Sequence, residues 1–412
     1  MADKHPISLT QCTTPNDSSE LGGLENTENT WINLAKRASG LYIHIPFCFH
    51  KCHYCDFFSI ANADHEHKRF TEALVNELQA VGPHLEAIDS IFVGGGTPTL
   101  LEYSLLERVL STIKNVVPMT SLVEWTVEAN PETVSESKAK LLAASGVNRV
   151  SLGAQSFHPN LLKELERWHD PENVLRSVSL LREAGIGNIN LDLIYAIPTQ
   201  TMKMLEVDVE QLINIQPEHL SCYALTYEPN TPLLTKLRKG EVERATHELE
   251  AEMFGYVIDT LRSAGYRQYE ISNFAREGFE CKHNVMYWEN RSWWACGPSA
   301  SGHIKGLRWR NVPRLRDYFK QNPLPPVLDV EQLSLDRQMG EVCMLGLRLN
   351  RGMPRDTVER VIQQSNDHWR EDVIQKYLNE GLLAWVNDSL ALTKKGRAIA
   401  DMVIGDLLMQ DA

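Results

Sequence analysis

Three cysteines that lie close together are the residues of this sequence best suited to do chemistry. Cys48, Cys52 and Cys55 have the spacing Cys-x3-Cys-x2-Cys. Three thiolates on one short loop can hold one soft metal centre. A cubane cluster of four irons normally takes four cysteines, so three would leave one iron open to another ligand. We therefore expect iron chemistry at this loop rather than plain electron storage.

A zinc site and a disulfide are weaker candidates for the same cysteines. Zinc could use the three thiols with one of His44, His50 or His53, but structural zinc usually takes two separated ligand pairs and no second pair is evident. A disulfide is disfavoured because eight cysteines in 412 residues, without an export signal, are not typical of a disulfide scaffold.

The cysteine loop directly follows the first of six short apolar runs, which alternate with longer segments of helical period. Strand-helix units repeated about every 30 residues imply right-handed crossovers and a parallel sheet, either doubly wound or curved toward a barrel. Both architectures place functional residues at the carboxyl ends of the strands. The six predicted strands are 41–47, 91–93, 122–127, 149–152, 189–194 and 220–225.

Helix signals lie between these runs. Apolar residues at spacings of three and four predict one helix, and they are Phe70, Leu74, Leu78 and Val81. A second helix is bounded by Asp170 as N-cap, by Pro171 at its first position and by Gly185 just past its end.

Two further motifs follow predicted strands. The triplet Gly94-Gly95-Gly96 comes after the second strand and allows the backbone to approach a ligand closely, although such a triplet is more often only a turn. Glu128 ends the third strand, where its carboxylate could accept hydrogen bonds from an amine or a ribose. A charge placed for a helix dipole accounts for Glu128 equally well.

These motifs together carry a family resemblance. The Cys-x3-Cys-x2-Cys motif after a strand resembles the radical SAM superfamily. The string Tyr42-Ile43-His44-Ile45-Pro46-Phe47-Cys48 resembles its coproporphyrinogen dehydrogenase-like branch, and the resemblance extends from residue 40 to about residue 400. It implies an α/β fold, a partial (βα)6 radical SAM barrel with a small C-terminal winged-helix-like domain.

The resemblance also implies cofactors. A [4Fe-4S] cluster on the three cysteines would bind S-adenosylmethionine at its open iron, and an electron from the cluster would split the sulfonium to a 5′-deoxyadenosyl radical. Some members of the family hold a second adenosylmethionine. A role as a surface ion-pair partner accounts for Arg167 equally well. The residues implied for adenosylmethionine are Tyr42, Tyr54, Gly95, Gly96, Thr97, Glu128, Gln155, Arg167, Asp192 and Thr226.

Two features favour one branch of the family. Phe57 stands where the oxygen-independent coproporphyrinogen dehydrogenases carry a fourth cysteine, and this is the pattern of the haem-chaperone, HemW-like branch. The segment from His283 to Trp288 resembles the His-Asn-x-x-Tyr-Trp motif associated with haem binding there, which implies His283 as the haem ligand and leaves Cys281 as an alternative. Without the resemblance, Asn284 would cap a turn and Trp288 would pack in the core.

Composition sets the remaining limits. The chain is 43% hydrophobic and 23% charged, which is typical of a globular protein, and its net charge of −13 disfavours nucleic acid as a partner. No run of apolar residues is long enough to span a bilayer, and no signal peptide or transit peptide is evident, so we expect a cytoplasmic protein. One stretch of this acidic chain is basic, and its residues are Lys305, Arg308, Arg310, Arg314, Arg316 and Lys320. It is either a binding surface for porphyrin propionates or a solvated helix face.

The sequence is predicted to have four parts. They are a disordered extension over residues 1–38, the barrel over 39–265, an aromatic extension on the haem or substrate side over 266–322, and the C-terminal domain over 323–412. We expect a haem chaperone that binds the cluster, adenosylmethionine and haem, takes electrons from a donor, and transfers haem to acceptor haemoproteins such as respiratory ones. The alternatives are an oxygen-independent coproporphyrinogen III oxidase of porphyrin biosynthesis, or another radical SAM reaction such as methyl transfer. Whether the chain is an enzyme stays open, because Phe57 argues against the oxidase.

Overall fold

The secondary structure comes from a computed structural model, which describes residues 30–365 and 368–408. The strands are β1 Gly40–Ile45, β2 Phe47–Cys48, β3 Ile60–Ala61, β4 Ser90–Gly95, β5 Glu124–Ala129, β6 Arg149–Gln155, β7 Asn188–Tyr195, β8 His219–Ala224, β9 Arg267–Gln268, β10 Asn273–Ala275, β11 Trp293–Cys296, β12 Ser301–Ile304, β13 Leu307–Asn311, β14 Val327–Gln332, β15 Met353–Pro354, β16 Leu383–Val386 and β17 Ser389–Leu392.

The helices alternate with the strands in the first part of the chain and dominate its end. They are α1 Thr30–Ala35, α2 His67–Val81, α3 Tyr103–Val116, α4 Glu136–Ser145, α5 Pro159–Glu164, α6 Glu172–Glu183, α7 Met202–Ile215, α8 Pro232–Arg238, α9 His247–Ser263, α10 Lys282–Trp288, α11 Leu315–Tyr318, α12 Leu335–Gly346, α13 Arg355–Gln363, α14 Trp369–Asn379, α15 Lys394–Arg397 and α16 Ala400–Gly405.

One large sheet organises the molecule. Its strand order is β14-β13-β12-β11-β1-β4-β5-β6-β7-β8-β10-β9. The six predicted strands are confirmed as the parallel series β1, β4, β5, β6, β7 and β8. The aromatic extension adds β11 parallel to β1, and the antiparallel strands β12 to β14 continue the sheet beyond it.

Side chains alternate between two faces along the parallel strands. The residues of one face, among them Ile43, Trp125 and Leu191, are fully buried in one apolar core with the helices. The predicted face of α2 is confirmed there, since Phe70, Leu74, Leu78 and Val81 are all buried. The other face, which we call the inner face, is mostly polar, and side chains from β5 to β8 line shared cavities there. The sheet therefore curves around a polar interior.

The second predicted helix is confirmed as α6, but it begins one residue later than predicted, at Glu172, with Pro171 as its N-cap. The Asp170 Oδ1 accepts a hydrogen bond from the Glu172 backbone N–H at 3.0 Å, which satisfies one free donor of the first turn. Gly185 follows the helix at φ 94°, a conformation that favours glycine.

Residues 30–38 correct the prediction of a disordered extension. They form α1 and a turn, and Trp31, Ala35 and Ala38 are buried in the main core. The Trp31 ring also meets the His84 ring edge-on at 5.2 Å. A large indole with small neighbours buries enough apolar area to order this segment. The rest of the predicted extension, residues 1–29, lies outside the described residues.

The C-terminal unit begins later than predicted. β14 pairs with β13, so residues 327–332 belong to the large sheet and the boundary lies after Gln332 instead of at 323. Beyond it, α12, β15, α13, α14, β16 and β17 surround a separate apolar core, with the small sheet in the order β15-β17-β16. This helix and strand order is that of a winged-helix-like domain, as predicted. No helix among the described residues has the length and apolar character needed to cross a bilayer.

Candidate functional site

The three cysteines open onto one cavity. The loop that carries them leaves β1, pairs briefly as β2 with β3, and returns toward the sheet. Cys48, Cys52 and Cys55 are free thiols and all line a cavity of about 570 Å3. Within the described residues, no three His, Cys, Asp or Glu side chains are grouped closely enough for a single metal ion. Three free thiols around a roomy cavity fit a multinuclear cluster with an open position.

The zinc alternative loses one of its three candidate histidines, His44. The His44 Nε2 lies 2.8 Å from the Phe58 carbonyl oxygen, so it carries the proton, and the Tyr42 hydroxyl donates to Nδ1 at 2.9 Å. The His50 ring stacks on Trp168 at 4.2 Å. The partners of His44 leave it no nitrogen for a metal.

Burial raises the pKa of the cysteine thiols at the ends of the motif. The pKa of Cys55 rises to about 11 because burial disfavours the thiolate, and that of Cys48 rises for the same reason. Thiolates in such a place need a cationic centre to stabilise them. The thiols thus suit metal ligation better than free nucleophilic chemistry.

The glycine triplet packs against the backbone that leads into the cysteine loop. A side chain on Gly96 would place its Cβ 2.6 Å from the Phe47 carbonyl oxygen, and one on Gly95 would meet the His44 ring at 2.2 Å. The Gly96 N–H donates to the Ile45 carbonyl oxygen at 2.9 Å. Gly95 also has φ 101°, which other residues rarely adopt. The triplet is therefore a close packing contact as well as a turn.

Glu128 lies on the inner face at the cavity wall. Its Oε2 accepts a hydrogen bond from the Gly95 N–H at 2.9 Å. Burial raises the pKa of this carboxyl to about 7, and the nearby charge of Asp192 adds to the rise while the Gly95 hydrogen bond opposes it. Glu128 belongs to a strand, so the assignment to a helix dipole is wrong.

Arg167 points into the cavity. One guanidinium nitrogen, Nη1, lies 3.6 Å from the Cys52 Sγ, and Nη2 donates to the Gly153 carbonyl oxygen at 3.0 Å. Position 153 favours glycine, because a Cβ there would lie 2.6 Å from Arg167 Nη2. The assignment of Arg167 to a surface ion pair is therefore wrong.

The remaining predicted residues divide into three groups. Most of the residues expected to hold adenosylmethionine line the same cavity as the thiols, namely Tyr54, Gly95, Gly96, Thr97, Glu128, Gln155, Arg167 and Asp192. Thr226 lines a second cavity of about 410 Å3, which shares Tyr54, Cys55 and Asp192 with the first. Tyr42 lines neither cavity, and it acts on the site through its hydrogen bond to His44.

His283 is not presented to either cavity. The side chain is fully buried, with Nδ1 2.9 Å from the Ser90 Oγ and Nε2 2.8 Å from the Tyr287 hydroxyl. Burial lowers its pKa to about 3. Since Ser90 begins β4, His283 lies at the end of the barrel opposite to the cysteine loop. The assignment of His283 as a haem ligand stays a prediction: its side chain closes the barrel, and Asn284 beside it lines the second cavity.

The basic stretch is largely neutralised. Arg308 pairs with Glu341, and Arg310 pairs with Asp329 at 2.6 Å. Lys320 pairs with Asp317 at 2.7 Å. Guanidiniums that already face carboxylates are poor docks for propionates, so the structure does not support that hypothesis.

Sequence reasoning missed several residues that line the cavities. Arg149, Ser151, Asn190 and Tyr223 project from β6, β7 and β8 into the polar interior. His169 lines the first cavity. The available signal was the alternation of polar and apolar residues within strands such as Asn188–Tyr195, which marks a half-polar strand without saying whether the polar face meets solvent or a ligand.

Comparison with known proteins now identifies the family. Residues 42–212 match the model of the Radical SAM superfamily, and residues 333–399 match that of the HemN C-terminal domain. The fold resembles that of coproporphyrinogen III oxidase (HemN) from Escherichia coli, with a TM-score of 0.78 and 20% identity over 92% of this chain and 93% of that one.

Relatives among curated proteins are more similar in sequence. The chain is 36% identical over 378 residues to the heme chaperone HemW of Lactococcus lactis, which is 92% of this chain and 99% of the relative. It is 36% identical over 375 residues to the heme chaperone HemW of Bacillus subtilis, which is 89% of this chain and 98% of the relative. Since these similarities extend over nearly the whole of both chains, this chain belongs to the HemW family of the radical SAM superfamily.

Proposed function

We propose that this chain is a haem chaperone, which binds haem and transfers it to acceptor haemoproteins. The observation that carries the proposal is the match to heme chaperone HemW proteins over 92% of the chain. The cysteine cavity supports it, because the described residues bring three thiols, a guanidinium and a glycine turn to one space. Respiratory haemoproteins as acceptors, a separate electron donor and a cytoplasmic location are parts of the same proposal.

The chain supplies the binding groups for the cofactors. Cys48, Cys52 and Cys55 would hold a [4Fe-4S] cluster, and when bound with S-adenosylmethionine this group supplies reductive cleavage of the sulfonium. Arg167 donates toward the Cys52 sulfur and so stabilises negative charge there. Glu128 offers carboxylate oxygens to an amine or a hydroxyl within the same cavity.

The mouth of the cavity suits a flat apolar ligand. Phe49, Phe57 and Trp168 are each more than half exposed and all line the cavity, at 69%, 65% and 62% exposure. Large apolar side chains grouped at an opening mark a binding surface. Phe57 is also the position at which the oxidase pattern has a fourth cysteine. An aromatic ring there favours binding of a porphyrin over added thiol chemistry.

The test combines reconstitution, haem titration and product analysis. We expect anaerobic reconstitution to give about four irons per chain, and haem to bind and then pass to an added apo-haemoprotein. Cys52→Ala should lose the iron, whereas Cys343→Ala, which removes a buried thiol of the C-terminal core, should keep it.

Two results would contradict the proposal. Failure of the wild-type protein to bind haem would overturn it directly. Conversion of coproporphyrinogen III to protoporphyrinogen at enzymatic rates would establish the oxidase alternative instead. Cleavage of adenosylmethionine without porphyrin turnover would point to another radical SAM reaction if haem binding were also absent.

A further inference from the structure

One buried charge on the inner face, that of Arg149, has no carboxylate at ion-pair distance among the described residues. The Arg149 side chain is 2% exposed, and it donates a long hydrogen bond of 3.5 Å from Nη1 to the Thr126 hydroxyl. Its Nε is buried without an acceptor. Among the described residues no carboxylate forms an ion pair with it. A guanidinium has five N–H donors, and burying one unpaired is costly.

The nearest carboxylates are bound to other donors. Glu124 accepts hydrogen bonds from the backbone N–H groups of Lys282 and His283, at 2.8 and 3.1 Å. Asp192 accepts one from the Asn190 amide at 2.7 Å. Glu124 therefore caps α10 and Asp192 belongs to the network of β7. Both attract the Arg149 charge, which helps to raise its pKa, but neither forms a hydrogen-bonded ion pair with it.

Arg149 faces open space. It lines the second cavity of about 410 Å3, which reaches from the exposed Phe57 at the mouth to Asn284 of α10. The wall between them carries Phe92, Ile194 and Leu225. A ligand that fills this space would meet apolar side chains along its length and a guanidinium inside.

We propose that Arg149 binds a carboxylate of the tetrapyrrole, so that a propionate group of haem reaches into the second cavity. Guanidinium and carboxylate pair through two parallel hydrogen bonds, which would satisfy the donors that the chain leaves free. This inference rests on the proposed haem binding and adds the residue that recognises the propionate.

The other acids of the cavity do not oppose such a ligand strongly. Burial raises the pKa of Glu128 to about 7 and also raises the pKa of Asp192. Both carboxyls are thus held closer to their neutral forms than exposed acids would be. The other two acids that line the cavity are Asp56 and Glu228.

The experiment compares haem with haem dimethyl ester, in which both propionates are blocked. Absorbance titration of the anaerobically reconstituted protein should give a dissociation constant about ten- to a hundredfold higher for the ester, because a buried charge-assisted hydrogen bond is lost. In Arg149→Met the two ligands should bind with nearly equal affinity. The control Arg310→Met removes an arginine that already pairs with Asp329, and should keep the wild-type ratio.

Each result decides the matter. If wild type and Arg149→Met discriminate equally between haem and its ester, the role of Arg149 is overturned while haem binding stands. If the wild type binds neither ligand, the proposed function itself fails. Arg149→Met should melt no earlier than the wild type without ligand, because it removes a buried charge that forms no ion pair at hydrogen-bond distance. A variant that does not fold would show that Arg149 is already satisfied within the chain and would overturn the inference.

If adenosylmethionine supplies the carboxylate instead, a different measurement changes. Equilibrium dialysis would then show fewer adenosylmethionine molecules per chain in Arg149→Met than in wild type, with the preference for haem over its ester unaltered. That pattern would also overturn the proposal.

Discussion

The backbone that leads into the Cys48 loop passes closer to position 96 than any residue larger than glycine would permit. An added Cβ would lie 2.6 Å from the Phe47 carbonyl oxygen and 2.7 Å from the Pro46 carbonyl carbon, and both are backbone atoms that cannot turn away. Gly96→Ala should therefore displace the cysteine loop and destabilise the fold by about 1–3 kcal/mol. We expect less iron per chain after reconstitution, with far-ultraviolet circular dichroism retained.

Gly187→Ala is the matched control for Gly96→Ala. A Cβ at Gly187 meets nothing within 4 Å, and its φ is not positive. The iron content and the urea midpoint of Gly187→Ala should equal those of wild type. Full iron content in Gly96→Ala would show that the loop does not depend on this contact.

Single residues also show how far a motif can predict a site. The cysteine motif, Glu128, Arg167 and Asp192 are predicted together and do line one cavity, because they lie on neighbouring parallel strands or in the segments that follow them. The motif at His283 predicts a haem ligand, which stays a prediction, but a motif does not say which neighbours the ring nitrogens will have, and these are Ser90 and Tyr287. Such partners lie up to 193 positions away in the sequence.

At the scale of elements, outward-facing residues made the strands predictable. Apolar runs such as 220–225 appear because every second residue, here Leu220 and Cys222, is buried in the core with the helices. The inner face was not predictable as a ligand surface, since Arg149 and Asn190 alternate with apolar residues as they would on a solvated strand. The inner face lines a cavity because the sheet is curved, and this curvature cannot be predicted from the sequence pattern.

Glu77 joins helix α2 to the strands of the aromatic extension. Its carboxylate accepts hydrogen bonds from the Gly297 N–H at 2.9 Å, the Asn311 amide at 3.1 Å and the Tyr318 hydroxyl at 2.5 Å. Burial raises the pKa of Glu77 from 4.5 to about 7, and these three hydrogen bonds partly oppose the rise. The side chain is therefore the natural place to look for pH dependence of stability.

The sign of that dependence follows from the raised pKa. Below about pH 4.5 the carboxyl is protonated in both folded and unfolded chains. There the contribution of Glu77 to the free energy of unfolding has its full stabilising value. Between pH 4.5 and 7 the unfolded chain gives up the proton first, so stability falls as the pH rises, by about 3 kcal/mol at most. Urea unfolding from pH 5 to 7.5 should show a shallower fall for Glu77→Gln than for wild type.

The control for Glu77→Gln is a substitution of a glutamate that is exposed to solvent. Glu136→Gln removes an exposed acid of α4, whose partner Lys140 is also exposed, and its stability profile should parallel that of wild type. Parallel profiles for wild type and Glu77→Gln would mean that the Glu77 carboxyl is ionised throughout this pH range in the folded protein.

At the scale of the whole molecule, the C-terminal unit is joined to the barrel beside α10. The Asn350 N–H donates to the Tyr269 carbonyl oxygen at 2.9 Å, and the Arg348 guanidinium lies 4.9 Å from the Trp288 ring centre. Trp288 belongs to the motif that begins at His283. The motif therefore links the closed end of the barrel to the C-terminal unit, which gives it a structural role in addition to the cavity contact of Asn284.

Glu341 is a buried charged residue of this junction. It lies on α12, is 4% exposed, pairs with Arg308 of β13 and accepts a hydrogen bond from the Asn290 amide at 3.3 Å. Glu341→Ala would leave the half-buried Arg308 without this partner, at a cost of about 1.5–3 kcal/mol. We expect limited proteolysis to cut between β14 and α12 faster in Glu341→Ala than in wild type, because the C-terminal unit undocks more often.

Glu359→Ala separates this effect from a general loss of acid in the C-terminal unit. Glu359 is exposed on α13, so its removal should leave the cleavage rate unchanged. Haem binding should not respond to undocking of the C-terminal unit, because the cavities lie within the barrel. Glu341→Ala should therefore change the rate of cleavage by protease but keep the preference for haem over its dimethyl ester. Equal cleavage of Glu341→Ala and wild type would mean that the other contacts of the junction, among them those of Asn350 and the Arg351–Glu289 ion pair, hold it without the Glu341–Arg308 pair.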